Sequence, residues 1–301
     1  MVTSCDSGRF ARDAQNAAQD PPNYRGMVFE HGLDGQDKVL RFSGQTSPDG
    51  TDIPVDAVSN DRVFIYVDGI HTSQPGESAD IQGLFLSPDR TRCNIEQPAI
   101  GIQEGVGKDI VADGVRITKD FEILKGLQSG LNVDVLRKAV YDVDPAVKSV
   151  HDEIRQSLDA GRNVQVALHS GGGAETAVAL TLLAKEDGGR FAPAIRQHVR
   201  VLAMAPAAAP EDFTRAGVQP GNLLYTGSHQ DPVYHLFHNF VQPGHQGPFL
   251  KDALQALELG LQPGNIDFHN PYYIFDHNLG TDGTSDIQRY LDGAPGSVHT
   301  I

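Results

Sequence analysis

The chain predicts an α/β fold, with a mostly parallel central sheet and helices on both faces. Three observations carry that expectation. Short apolar runs with β-branched residues recur at 62–67, 164–168, 199–204 and 222–226, long enough for buried strands and too short for helices. Between several of them lie apolar residues at helical spacing, and alternating strand and helix call for parallel pairing. A length of 301 residues also suffices to bury a full core as one large α/β domain.

Residues 1–24 are rich in Ser, Asp, Asn and Ala and hold no sustained pattern, which predicts a mobile tail ahead of a single domain over 25–301. Residues 27–29 and 39–42 suggest a first antiparallel pair, and 47–56 is a Pro/Gly/Asp loop. The strand at 62–67 ends in Asp68-Gly69-Ile70-His71-Thr72. Residues 73–143 are more than a plain strand–helix passage needs. An insertion is expected there, containing a strand at 99–102 and a helix over 120–138 broken by glycine. Asp144 then caps a helix with Pro145 at its first position; Val147, Val150, Ile154 and Leu158 form its core stripe, and Gly161 closes it. The strand at 164–168 runs through His169, Ser170 and three glycines into a helix whose apolar stripe is Ala177, Leu180 and Ala184. Beyond the strands at 199–204 and 222–226, Phe249, Leu250, Leu254, Leu257 and Leu261 repeat at helical spacing, so 240–264 is a second insertion or cap candidate. A last strand at 272–275 and a closing helix at 285–291 complete the pattern.

Composition excludes several function classes. The net charge is −15, from 24 Lys and Arg against 39 Asp and Glu, which disfavours nucleic acid or an anionic bilayer as a partner. No apolar run approaches membrane-spanning length. Two cysteines, Cys5 and Cys93, make no disulfide framework and read as free thiols. The N-terminus has no apolar signal region. A cytoplasmic enzyme, or a bacterial effector exported without a cleaved signal, fits that start; Val2-Thr3-Ser4-Cys5 would mark a lipoprotein only if the chain were truncated. Oligomeric state leaves no mark on the sequence.

The chemistry concentrates at Ser170. A strand that becomes a helix within so few residues needs backbone angles that a Cβ resists, and glycine supplies them. The hydroxyl would project from the carboxyl end of the strand, beside helix N–H groups that favour negative charge. That suits a nucleophile; the plainer alternative is a structural glycine turn. Phosphate loops fit less well, because no Gly-Lys-Ser/Thr follows and the third glycine of a dinucleotide motif would fall on Thr176.

Leu168-His169-Ser170-Gly171-Gly172 resembles the nucleophile elbow, G-x-S-x-G, of the α/β-hydrolase superfamily, and the likeness extends over about 62–291, strongest at this elbow and at the Asp-Pro turn and absent between 73 and 143. It departs at Leu168, where a small residue is usual, so either the turn opens slightly or Gly172 and Gly173 give the room. The resemblance implies a lipase- or esterase-like serine hydrolase with an insertion after the oxyanion strand. It implies backbone N–H donors at Gly171 and at Ile70, or Gly69 beside it, for the reaction's oxyanion. Asp68-Gly69 stands where the family often has His-Gly or Asn-Gly; a plain β-turn is the alternative. Asp231-Pro232-Val233 resembles the family's Asp-Pro-Val after the second strand beyond the elbow, with one extra residue before it, and implies Asp231 as the acid. Asp212 is its alternative. His277 follows the predicted last strand and takes the general-base position, with His269 in reserve if that strand is instead 265–268. Ser170, Asp231 and His277 then stand in the family's chain order.

The implied activity is hydrolysis of a carboxylic ester, on a small-molecule or lipid substrate, through an acyl-enzyme and without cofactor. A lipid substrate rests on 247–262 being a lid rather than a helix packed on the core. A thioesterase or other acyl hydrolase shares the same machinery. A non-catalytic hydrolase-fold binding protein is kept open by Leu168 and Asp68, and a nucleotide-binding sheet protein by the glycine turn. His229, His235 and His238 lack a HExxH-type pattern and read as ordinary histidines, with no metal implied.

Overall fold

The computed structural model describes residues 26, 28–31, 37–41, 58–59, 62–67, 69, 99–102, 119–120, 122–134, 137, 144–227 and 295–300. The tail at 1–24, the cap candidate at 240–264, the strand and helix expected at 272–275 and 285–291, and most of the 73–143 insertion candidate lie outside these residues.

Among the described residues, nine strands form one sheet: β1 (Val28–His31), β2 (Asp37–Arg41), β3 (Val58–Ser59), β4 (Arg62–Val67), β5 (Ala99–Ile102), β6 (Asn163–His169), β7 (Val199–Met204), β8 (Leu223–Gly227) and β9 (Val298–Thr300). Their spatial order is β2-β1-β5-β4-β6-β7-β8-β9, with β3 pairing β4. Strands β5, β4, β6, β7 and β8 pair with one another in parallel, β9 continues parallel to β8, and β3 lies antiparallel on β4. β1 joins β5 antiparallel and carries β2 as an antiparallel hairpin partner. The apolar runs of β4, β6 and β7 are buried almost from end to end, as strands covered on both faces must be.

Besides helical residues at 119–120 and 122–128, the described residues form the α-helices α1 (Pro145–Asp159), α2 (Gly172–Lys185), α3 (Ala192–His198) and α4 (Pro210–Arg215). Asp144 caps α1 as its sequence predicts, its Oδ1 accepting from the Ala146 and Val147 N–H groups at 2.9 and 3.3 Å. Val147, Val150, Ile154 and Leu158 are all in the core, and Gly161 turns the chain at φ +72°. α2 differs from its predicted single stripe: every residue from Gly172 to Leu183 is buried. A helix apolar all round belongs inside. It packs along α1 and also touches α3, α4, β4 and β6. Residues 122–128 are helical, and Gly130, at φ +92°, sits at the expected break. The short strand β9 was not foreseen. Ser297 accepts from the Tyr225 N–H at 2.9 Å, and Gly296 lies so close to Leu223 that no side chain would fit.

The strand order has a consequence for function. From β4 the chain moves one way to β5, then returns to β6 on the other side of β4. The switch point therefore falls between β4 and β6, and open parallel sheets bind ligands in the crevice beyond the carboxyl ends of such strands.

Candidate functional site

Ser170 stands at that switch point, on the corner between β6 and α2. Its φ is +51°, in the left-handed region that non-glycine residues seldom enter. Such a conformation costs about 1–2 kcal/mol and persists only where its surroundings over-determine it. Here the surroundings are visible. The Ser170 carbonyl accepts from the Gly173 N–H at 3.0 Å and the Ala207 N–H at 2.6 Å, while its own N–H donates to the Met204 carbonyl at 3.3 Å. Gly173 makes this possible by lacking a side chain: a Cβ there would lie 2.7 Å from Pro206 Cβ and 3.0 Å from the Ala207 nitrogen. Leu168 is fully buried, in register with Val67 on one side and Ala203 on the other. The close approach at the elbow is thus made by Gly173 against the loop after β7.

That loop, 205–209, is anchored on several sides. Ala205 also has a positive φ, +42°, and its N–H donates to the Thr226 carbonyl at 2.7 Å. Tyr225 donates its hydroxyl to the Ala208 carbonyl at 3.0 Å. Neighbouring strands β6 and β7 therefore both end in left-handed, non-glycine corners, joined through Ala207 and Ser170.

From the other side comes Gly69, two residues beyond β4. A Cβ on Gly69 would lie 2.9 Å from Ser170 Cβ and 2.8 Å from His169 Nδ1. Of the predicted site residues, the structure thus brings Gly69 against Ser170, with Gly171 as the N-cap of α2. Ser170 is only 1% exposed and His169 5%, so the hydroxyl is covered. Ile70, Asp231, His277 and His269 lie outside the described residues. Asp212 has structural partners: its Oδ2 accepts from the Ala209 N–H at 3.0 Å at the start of α4, and its Oδ1 from Gln128 Nε2 at 3.0 Å. Burial pushes its carboxyl above the usual range against these two hydrogen bonds.

A carboxylate group also emerges. Asp120, Asp144 and Glu175 are all buried, and one oxygen from each lies within 4.8 Å of the others. Oxygen donors of this kind suit a hard divalent cation, and among the described residues these three are the group that could hold one. Asp144 is already engaged as the α1 cap. The sequence offered one signal for this cluster: Glu175 is the single charge in the otherwise apolar or small run from 171 to 184.

No known protein family, curated protein or solved structure matches the chain. The site is therefore read from its own geometry.

Proposed function

We propose that this chain is a serine hydrolase of carboxylic esters, built on an α/β-hydrolase-like fold with helices on both faces and an insertion after β4. The observation that carries this is the Ser170 corner: a serine held at φ +51° between a parallel strand and a buried helix, at the sheet's switch point, with a glycine backbone against its Cβ. A strained strand-to-helix turn presenting a serine is the geometry of a nucleophile elbow. Gly69 supports the expected oxyanion loop, because a donor from that loop has to sit within hydrogen-bond reach of the carbonyl that the serine attacks.

In this mechanism Ser170 attacks the ester carbonyl, and His277 takes its proton and passes it to the leaving alcohol. Asp231 stabilises the imidazolium. The N–H groups of Gly171 and of Ile70 or Gly69 hold the oxyanion, and water then releases the acid. Because Ser170 is covered, substrate reaches it only after the site opens. The same burial favours a second reading, a hydrolase-fold binding protein without catalysis.

A fluorophosphonate probe separates the two. Covalent labelling of the wild type but not of Ser170→Ala is expected for the enzyme. A wild type that stays unlabelled, while folded by circular dichroism, leaves the binding protein. Among the described residues no helix is long and apolar enough to cross a membrane.

A further inference from the structure

The far end of α2 is held by charge, and there the described residues form a second organised cluster. His151, on α1, is buried, with Nδ1 3.1 Å from Asp152 Oδ1 and Nε2 3.0 Å from Glu186 Oε1. Glu186 is the C-cap of α2, and its side chain is 1% exposed. Arg137 Nη1 donates to the same Oε1 at 2.9 Å, and Arg155 Nη1 lies 3.6 Å from Oε2. Lys148 pairs with the second oxygen of Asp152. The charged groups around the imidazole are therefore Asp152, Lys148 and Arg155 from α1, Arg137 from the segment before it, and Glu186 with Asp187 after α2.

A neutral imidazole donates through one ring nitrogen and presents a lone pair at the other. Here Nδ1 is hydrogen-bonded to Asp152 and Nε2 lies beside the Glu186 carboxylate as an ion-pair contact without hydrogen-bond alignment, so the protonated ring satisfies both sides and a neutral one does not. The shifts agree with that geometry. Burial alone would push His151 down, but the hydrogen bonds and charges of Asp152 and Glu186 outweigh it and hold the imidazole above its ordinary value. Burial likewise pushes Asp152 and Glu186 up. His151 and Lys148 hold the first below the usual range, and His151 and Arg137 the second. The chain just beyond Glu186 needs holding. Asp187 has φ +48°, Gly188 +70° and Gly189 +88°, a run of left-handed residues of which Asp187 carries a Cβ.

We propose that His151 and Glu186 form a proton-operated latch at the end of α2. With the imidazole protonated its charge ties the 186–189 corner to α1; with the imidazole neutral and its remaining proton on Nδ1 towards Asp152, Nε2 turns a lone pair to Glu186 and the corner loosens. The latch does not depend on the chemistry proposed for Ser170.

The test uses the full chain. The His151 ring resonance, followed by NMR, should titrate above the ordinary 6.5, and Glu186→Gln should lower its midpoint. Hydrogen-exchange protection of the amides at 186–190, corrected for intrinsic exchange, should fall on the order of tenfold as pH rises through that midpoint, the scale of one charge-assisted hydrogen bond. In His151→Asn that pH dependence should vanish. A wild-type midpoint at or below 6.5, or an unchanged protection profile in His151→Asn, overturns the proposal. Should His151→Asn fail to fold, the wild-type and Glu186→Gln titrations decide alone.

Discussion

The two ends of α2 are secured by different physics. At its start, Ser170, Gly171 and Gly173 sit in a corner held by backbone hydrogen bonds and by the lack of side chains at Gly69 and Gly173. At its finish, Glu186 is gripped by His151, Arg137 and Arg155. The first arrangement depends on shape. The second depends on protonation. A position that must hold one geometry uses close packing, because packed contacts are not continuously adjustable. An end that can shift with conditions uses groups that titrate.

The largest break in this contrast should come from Gly173→Ala. Its Cβ would collide with Pro206 and the Ala207 nitrogen, where backbone as well as side chain must move. A loss of about 1–3 kcal/mol is expected from denaturant melts, the usual range for overpacking. That loss should be the same at pH 5 as at pH 8; a strongly pH-dependent loss would erase the distinction between the ends.

A smaller effect belongs to the charged end. Arg137→Met removes one donor from buried Glu186 and should cost about 1 kcal/mol, with His151 and Arg155 still in place. Here the cost should vary with pH. Glu186 and Asp152 have lowered folded values, so their contribution is full above the ordinary 4.5 and 3.8 and fades as acid titrates the folded carboxylates. His151 has a raised folded value, so its contribution is full below 6.5 and is lost as pH rises through that folded value. The charged end should therefore contribute most between 4.5 and 6.5, which a series of melts across pH would read directly.

The smallest change should be a gain. Ser170→Gly releases the left-handed strain, partly offset by the greater freedom of glycine in the unfolded chain, for a net rise of a few tenths to about 1 kcal/mol. Ser170→Ala keeps a Cβ and should give no such gain, so comparing the two variants separates backbone strain from loss of the hydroxyl.

Much of this architecture was legible in the residues. Asp144-Pro145 marks the start of α1 because a cap and a preset φ are local chemistry, and the β-branched runs of β4, β6 and β7 announce buried strands. Ser170 was legible as a corner because three glycines follow it. Less could be read where the cause is tertiary. The burial of α2 on every side depends on neighbours far along the chain, and alanine-rich helices give little periodic contrast. Pro206 and Ala207 carry no motif, yet Ala207 pins the Ser170 carbonyl and Pro206 packs on Gly173, because the parallel register of β6 and β7 brings their loop there. His151 and Glu186 are 35 positions apart, and neither has a sequence context that points to the other. β9 escaped because a three-residue strand is too short to show alternation.

Gly172 to Leu183 lie inside the molecule, so the helix behind the serine meets water only at its last residues, Ala184 and Lys185. It serves as a fixed beam under the corner that carries Ser170. Under the proposed function, a substrate would therefore have to reach Ser170 from beyond the carboxyl end of β6 and not across this helix.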